Sequence, residues 1–282
     1  EGLDDAVREE AEQAGGAGRG LTLAWMLTRS AKVLMALGHR RSTNQYHGFY
    51  PTLVEESLRA FYLSKLGVSM WGGMKQAAKD MWRPGGGDTP YAGSFFLDRL
   101  AAYRADHPDL EVSLVGHSAG SIAISHLLEA ASRRHRELVF NSVAFLAPAL
   151  ETETFHDTVV ARPERYTQFR MFTMADSDEQ ADHLLGRLYT RSLLYLVSGL
   201  FEPVLCAPLT GMMRFVEGER YAADRKLKGA QYFLKRENRL VLARNDWAAQ
   251  PPGFRCGALT HAAFDDNDPA TSESLASFIG QA

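Results

Sequence analysis

The chain has 282 residues, of which 45% are apolar and 23% charged, and a formal net charge of −3. That length buries a sizeable core in one large or two small domains, and a near-neutral charge without a basic stripe gives nucleic-acid binding no electrostatic support. Two cysteines, Cys206 and Cys256, make neither a disulfide framework nor a metal set, which fits a reducing compartment such as the cytoplasm.

Residues 1–20 are polar and end in glycines, and read as a short acidic helix and a lead-in. No secretory signal is legible, and because the first residue is Glu1 rather than Met, targeting is not read. Leu21 to Gly38 has helical periodicity and stops at a glycine. It is no membrane span, since Arg29 and Lys32 lie near its middle. The apolar stretch Ser192 to Leu209 is broken by Glu202 and Pro203, so no transmembrane segment is expected.

Thr52-Leu53-Val54-Glu55, just after Pro51, has the spacing of a capping box, with Leu58, Phe61, Tyr62 and Leu66 continuing its apolar face. A second helix is expected from Met70 to Trp82. Arg83-Pro84-Gly85-Gly86-Gly87-Asp88 reads as a plain loop, because no Gly-Lys-Ser/Thr follows to make a nucleotide cradle. Ser94 to Arg104 is the helix that feeds the central motif.

That motif runs from Leu110 to Glu129. Leu110 to Val115 is a buried-strand pattern, Gly116-His117-Ser118-Ala119-Gly120 follows at once, and Ile122, Ala123, Leu127, Leu128 and Ala131 recur at helical spacing. Strand, Gly-x-Ser-x-Gly, helix is the context of a nucleophile elbow. The chain reverses sharply there, so Ser118 is expected in a strained backbone with its Oγ clear of the sheet, and glycines on both sides let strand and helix close in. The amide of Ala119 faces a developing oxyanion. His117 is expected to point elsewhere and pack.

Three more strands are expected, at Val139–Leu146, Gln168–Met174 and Arg239–Arg244, separated by helical segments. The pattern from residue 92 onward is therefore α/β with a parallel sheet. Asp268 and Pro269 look like the cap and first residue of a last helix closed by Gly280. A serine hydroxyl is a weak nucleophile near neutral pH and needs a base, which in turn needs an orienting acid. In sheets of this class ligands sit at the carboxyl ends of the strands. His261 is the one histidine after the fourth strand, and Asp176, two residues beyond the third, is the first choice for the acid; Asp178 is the alternative. No metal-ligand spacing appears, and Asp265-Asp266-Asn267-Asp268 reads as turn and cap chemistry.

With those residues in place, the chain resembles the α/β-hydrolase superfamily, and within it a group of uncharacterised bacterial hydrolase-like proteins with similar Ser192-Leu193-Leu194-Tyr195 and Thr260-His261-x-x-Phe264-Asp265 stretches. The resemblance covers residues 92–282. It implies a mostly parallel sheet flanked by helices, and a serine esterase or lipase-like activity through Ser118, His261 and Asp176 on a small-molecule acyl ester, with no cofactor. The first half of the sheet usual in that family is not evident in residues 1–91, which read as a helical N-terminal region. His47-Gly48-Phe49 holds the dipeptide of a second oxyanion donor but follows no strand. Residues 179–238 form a long apolar link that either caps the pocket or packs on the sheet. The other reading open at this point is a hydrolase-fold protein without catalysis, a binding or assembly module whose unfinished sheet edge takes a partner such as a second copy of the chain.

Overall fold

A computed structural model describes residues 19–43, 45–60, 63–85, 91–184, 186, 188–218, 224–265 and 268–280. The reading of residues 1–18 as an acidic helix, the apolar positions Phe61 and Tyr62, the glycine loop from Gly86 to Asp88, and Asp266 and Asn267 lie outside the described residues. Three helices come first: α1 (Arg19–Ser42), α2 (Phe49–Ala60) and α3 (Leu63–Asp80). Then follow α4 (Ala92–Asp106), β1 (Ser113–His117), α5 (Gly120–Arg134), β2 (Phe140–Leu146) and β3 (Tyr166–Thr173). The chain ends with α6 (Asp176–Ala181), α7 (Arg225–Leu234), β4 (Leu240–Leu242) and α8 (Pro269–Ile279), with short helical turns over residues 152–160, 193–201 and 213–216.

The four strands form one parallel sheet in the order β1-β2-β3-β4. Parallel strands are covered on both faces, and the alternation along β3 shows how. Phe169 and Met171 join a core with Val143 and Phe145 of β2, Ile122 and Leu127 of α5, and Phe233 of α7. Phe172 and Met174 face the other way, into a smaller cluster with Val241, Cys256 and Phe264. The segment 179–238 supplies Leu194, Tyr195, Val197, Met212, Phe215 and Phe233 to the first of these cores, while its Tyr189, Leu196 and Leu200 pack with Val54 and Leu58 of α2. At the far end, Asp268 accepts a hydrogen bond from Thr271 N–H, Pro269 opens α8 and Gly280 ends it, as its cap chemistry predicts. No helix among the described residues is long and apolar enough to cross a membrane.

No strand precedes β1 among the described residues, so β1 is an edge strand, and Val115 at its middle is 41% exposed. The N-terminal helices do not extend the sheet. They are tied to the later chain by buried charge. Arg40, fully buried, donates from Nη1 to Glu55 (2.6 Å) and Glu56 (2.9 Å). His47 Nε2 lies 2.9 Å from Glu55, and Tyr189 O–H donates to the same carboxylate at 2.5 Å. Burial pushes the Glu55 carboxyl up, but the bonds and charges of His47, Arg40 and Tyr189 outweigh it and hold it below the usual range. A second tie joins α3 to Glu202, which accepts from Trp71 Nε1 at 2.6 Å and from Lys75 at 2.6 Å.

This arrangement corrects the capping-box expectation. The helix begins at Phe49, three residues before Thr52; Thr52 is buried within it, and Glu55 is spent on Arg40, His47 and Tyr189 rather than on a helix end. Replacing Glu55 leaves Arg40 buried against an incomplete set of partners. Glu55→Ala is expected to cost about 3–5 kcal/mol of stability, read as a lowered urea midpoint, whereas Glu129→Ala, on a half-buried face of α5, should cost far less.

Candidate active site

Ser118 stands between β1 and α5 with φ at 48°, in the left-handed region. A residue other than glycine reaches that region at a cost of about 1–3 kcal/mol and stays there only when its surroundings fix it. Four hydrogen bonds do so. Ser118 N–H donates to Leu146 O at 2.9 Å, and Ser118 O accepts from Ser121 N (3.2 Å), Ser121 Oγ (2.6 Å) and Ala149 N (3.2 Å). Ala147, at the end of the adjacent strand, is also left-handed, with φ at 38°.

The two flanking glycines differ. A Cβ on Gly116 would meet Gly120 C and Ser121 N at 2.9 Å and Ile124 Cδ1 at 2.8 Å, so this glycine is what lets the helix start cross the strand. A Cβ on Gly120 would meet nothing within 4 Å, so the expectation of close approach holds for the first glycine and not for the second.

His261 lies in the turn before a short helical segment and is 5% exposed. Its Nε2 is 3.0 Å from Ser118 Oγ. To take the serine proton, Nε2 must be unprotonated, which puts the ring proton on Nδ1. That nitrogen is buried and has no partner among the described residues. Burial first, and then the charge of His117, lower the His261 pKa to about 4, against a smaller opposing effect of Asp265.

Asp176 is not brought to His261 by any hydrogen bond. Its carboxylate accepts from Tyr195 O–H and from Gln180 Nε2, each at 2.7 Å, and Tyr195 in turn packs its ring 4.9 Å from that of His47. Asp178 forms no side-chain bond among the described residues; it stands one residue before Glu179, whose carboxyl is buried, bonded to Ser192 Oγ, and raised to about 8 by burial foremost and also by Asp182, Asp176 and Asp178. The acid that does meet the histidine is Asp182, which caps the end of α6 and accepts the main-chain N–H of His261 at 2.9 Å. The turn of helix α6 carries the chain from Asp176, nearest β3, to Asp182, and no local pattern in the sequence announces that displacement.

His117 packs, as expected, with its ring stacked 6.3 Å from that of Phe264, and it does so beside the candidate site. Its ring centroid is 5.0 Å from that of His261, and its Nδ1 lies 3.5 Å from Asp265. The N–H of Ala119, the residue capping α5, is free of hydrogen bonds among the described residues and stands next to Ser118. His47, the start of the other candidate oxyanion stretch, is held in the buried charge cluster by Glu55 and Arg40, and its carbonyl accepts from Arg191. No set of three or more metal-ligating side chains comes together among the described residues.

Comparison of the chain with known protein families, with characterised proteins and with solved structures finds no match.

Two predictions follow from this geometry. Gly116→Ala should lower stability by roughly 1–3 kcal/mol, because backbone rather than a flexible side chain blocks the added methyl, while Gly120→Ala should be within about 0.5 kcal/mol of the native chain in the same urea titration. The second concerns pH. A histidine held neutral in the fold binds its proton more readily once unfolded, so the stability it allows is present above its unfolded pKa of about 6.5 and is lost as the pH falls toward 4. Lowering the pH from 7 to 5 should therefore cost the native chain about 2 kcal/mol more than it costs His261→Gln, measured as the difference between their unfolding free energies at the two pH values.

Proposed function

We propose that this protein is a serine hydrolase that cleaves a carboxylic ester or related acyl bond. The observation that carries the reading is the 3.0 Å contact between His261 Nε2 and the Oγ of a serine held in left-handed backbone at a strand-to-helix turn. Ser118 Oγ attacks the carbonyl carbon while its proton passes to His261 Nε2. The carbonyl oxygen takes the negative charge, and Ala119 N–H is the donor placed to receive it. The C–O bond to the leaving group breaks as His261 returns the proton to the departing alkoxide, leaving an acyl-serine. Water then repeats the sequence, with His261 as base, to release the acid and restore Ser118.

We assign Asp182 as the acid that orients His261. Support comes from its bond to the His261 main chain and from the unpartnered Nδ1 of the same residue, whereas both oxygens of Asp176 are engaged elsewhere. A second reading, a binding module without catalysis, draws on that same vacant Nδ1 and on β1 as an unpaired sheet edge.

Labelling with a fluorophosphonate, followed by mapping of the modified peptide, separates these readings. Native protein should be modified at Ser118, Ser118→Ala should not label, and His261→Ala should label at least about 1,000-fold more slowly. Asp182→Asn should slow labelling by about 100- to 10,000-fold, and Asp176→Asn by less than tenfold. A reversed order for the two aspartates would return the acid to Asp176. Folded native protein that does not label would leave the binding module as the surviving reading.

A further inference from the structure

At the other end of α5 from Ser118 there is a cavity of about 230 Å³. Its walls carry Lys79 from α3, Trp82 and Arg83 from the turn after it, and His126, Arg133 and Arg134 from α5. Glu129 is the one carboxylate lining it, so four permanent cations face one anion in a chain whose net charge is −3.

Local pairing engages three of these four cations and leaves Lys79. Glu129 accepts from Arg133 at 2.6 Å and has His126 Nδ1 at 3.3 Å; Arg83 pairs with Asp80 at 2.8 Å; Arg134 Nη2 donates to both oxygens of Asp98, at 2.7 and 2.9 Å. Lys79 has no ion pair among the described residues. Two of the lining residues also carry buried donors with no acceptor there, Trp82 Nε1 and Arg134 Nη1. A buried donor left unpaired costs about 1–3 kcal/mol. At His126 burial lowers the pKa most, Glu129 opposes it, and Lys79 and Arg133 lower it by smaller effects.

Basic residues in the last turn of a helix complement its dipole, which accounts for Arg133 and Arg134 on α5 and for Lys79 on α3. It does not account for the convergence of two helix ends and Arg83 on one cavity, nor for the unpaired donors. At ~30 Å³ per water the cavity holds roughly eight waters, more than a single phosphate group fills, and Trp82, Pro84 and Ala130 give part of its wall an apolar character.

We infer that this cavity binds a phosphate group, with Lys79, Arg83 and Arg133 as its charge partners and room beside it for a short organic substituent. The site is separate from Ser118: at 1.5 Å per residue along α5, Arg133 is about 22 Å from the serine.

The test is calorimetric titration of the full chain with inorganic phosphate and with glycerol 3-phosphate at constant ionic strength, alongside the Trp82 indole N–H resonance, assigned with Trp82→Phe. Saturable binding is expected, with a shift of that resonance, and Lys79→Glu and Arg133→Glu should each weaken it tenfold or more. Tighter binding of the ester would identify the ligand as a phosphomonoester, and equal binding as free phosphate. Because the site stands apart from the serine, Ser118→Ala should bind as the native chain does, so failure of the hydrolase reading leaves this one intact. Absence of saturable binding, or binding that survives both charge reversals in folded variants, would overturn it.

Discussion

Everything at the candidate site depends on one crossing, where α5 starts so close over β1 that residue 116 has no space for a side chain. The crossing forces a reversal within three residues, and the residue at its apex takes a backbone that its own side chain disfavours. That cost is borne because the apex is over-determined. The hydrogen bonds that hold Ser118 come from β2, from the first turn of α5 and from the loop after β2, three parts of the structure that cannot move together without undoing the sheet. The serine is therefore rigid in a way that a loop serine is not, and its Oγ has a fixed direction in which to meet His261.

The sheet that sets this crossing is small, and its first strand has a partner on one side only. Much of the chain before it is helix, held by buried charge together with apolar contacts such as Trp71 in the main core and Val54 and Leu58 against Tyr189, Leu196 and Leu200. Arg40, Glu55, Glu56, His47 and Tyr189 form a set joined by ion pairs and hydrogen bonds, with Arg40 Nε left without a partner among the described residues. Such a set contributes little net stability compared with an apolar core of the same size, but it fails badly when one member is lost. It thus fixes which surface of the N-terminal helices meets the segment around Tyr189 and Cys206, where apolar packing alone would allow sliding.

The elements legible in the sequence were those whose signal is local. The four strands appear within a few residues of their expected bounds because β-branched and aromatic runs between turn residues are short-range patterns. The cap at Asp268 and the meeting of Ser118 with His261 follow the same logic, since position after a parallel strand dictates which end of the sheet a residue reaches. What was not legible depended on partners distant in the chain. Glu55 carries a capping spacing, yet Arg40, His47 and Tyr189 claim it. Asp176 lies nearest β3, yet Tyr195 and Gln180 claim it. Gly120 fits the motif, but no neighbour presses on it. For the two carboxylates residue type and spacing suit a role that other partners have claimed, and for Gly120 the motif demands a closeness that the fold does not impose.

The histidine shows why the choice of acid matters chemically. A base with a pKa near 4 would be present in the correct form at neutral pH but would pull weakly on a serine proton. A carboxylate at Nδ1 corrects this, because it favours the imidazolium and so raises the basicity of Nε2. The ring already offers the vacant nitrogen, and Asp182 already holds the main chain of the same residue. Against that gain stands His117, whose ring lies 5.0 Å away and disfavours a positive charge on His261. If His261 serves as the proposed base, its strength turns on a contest between a carboxylate and a histidine for one buried ring, and the carboxylate wins only if it reaches Nδ1, where its hydrogen bond to the charged form adds to its Coulomb attraction.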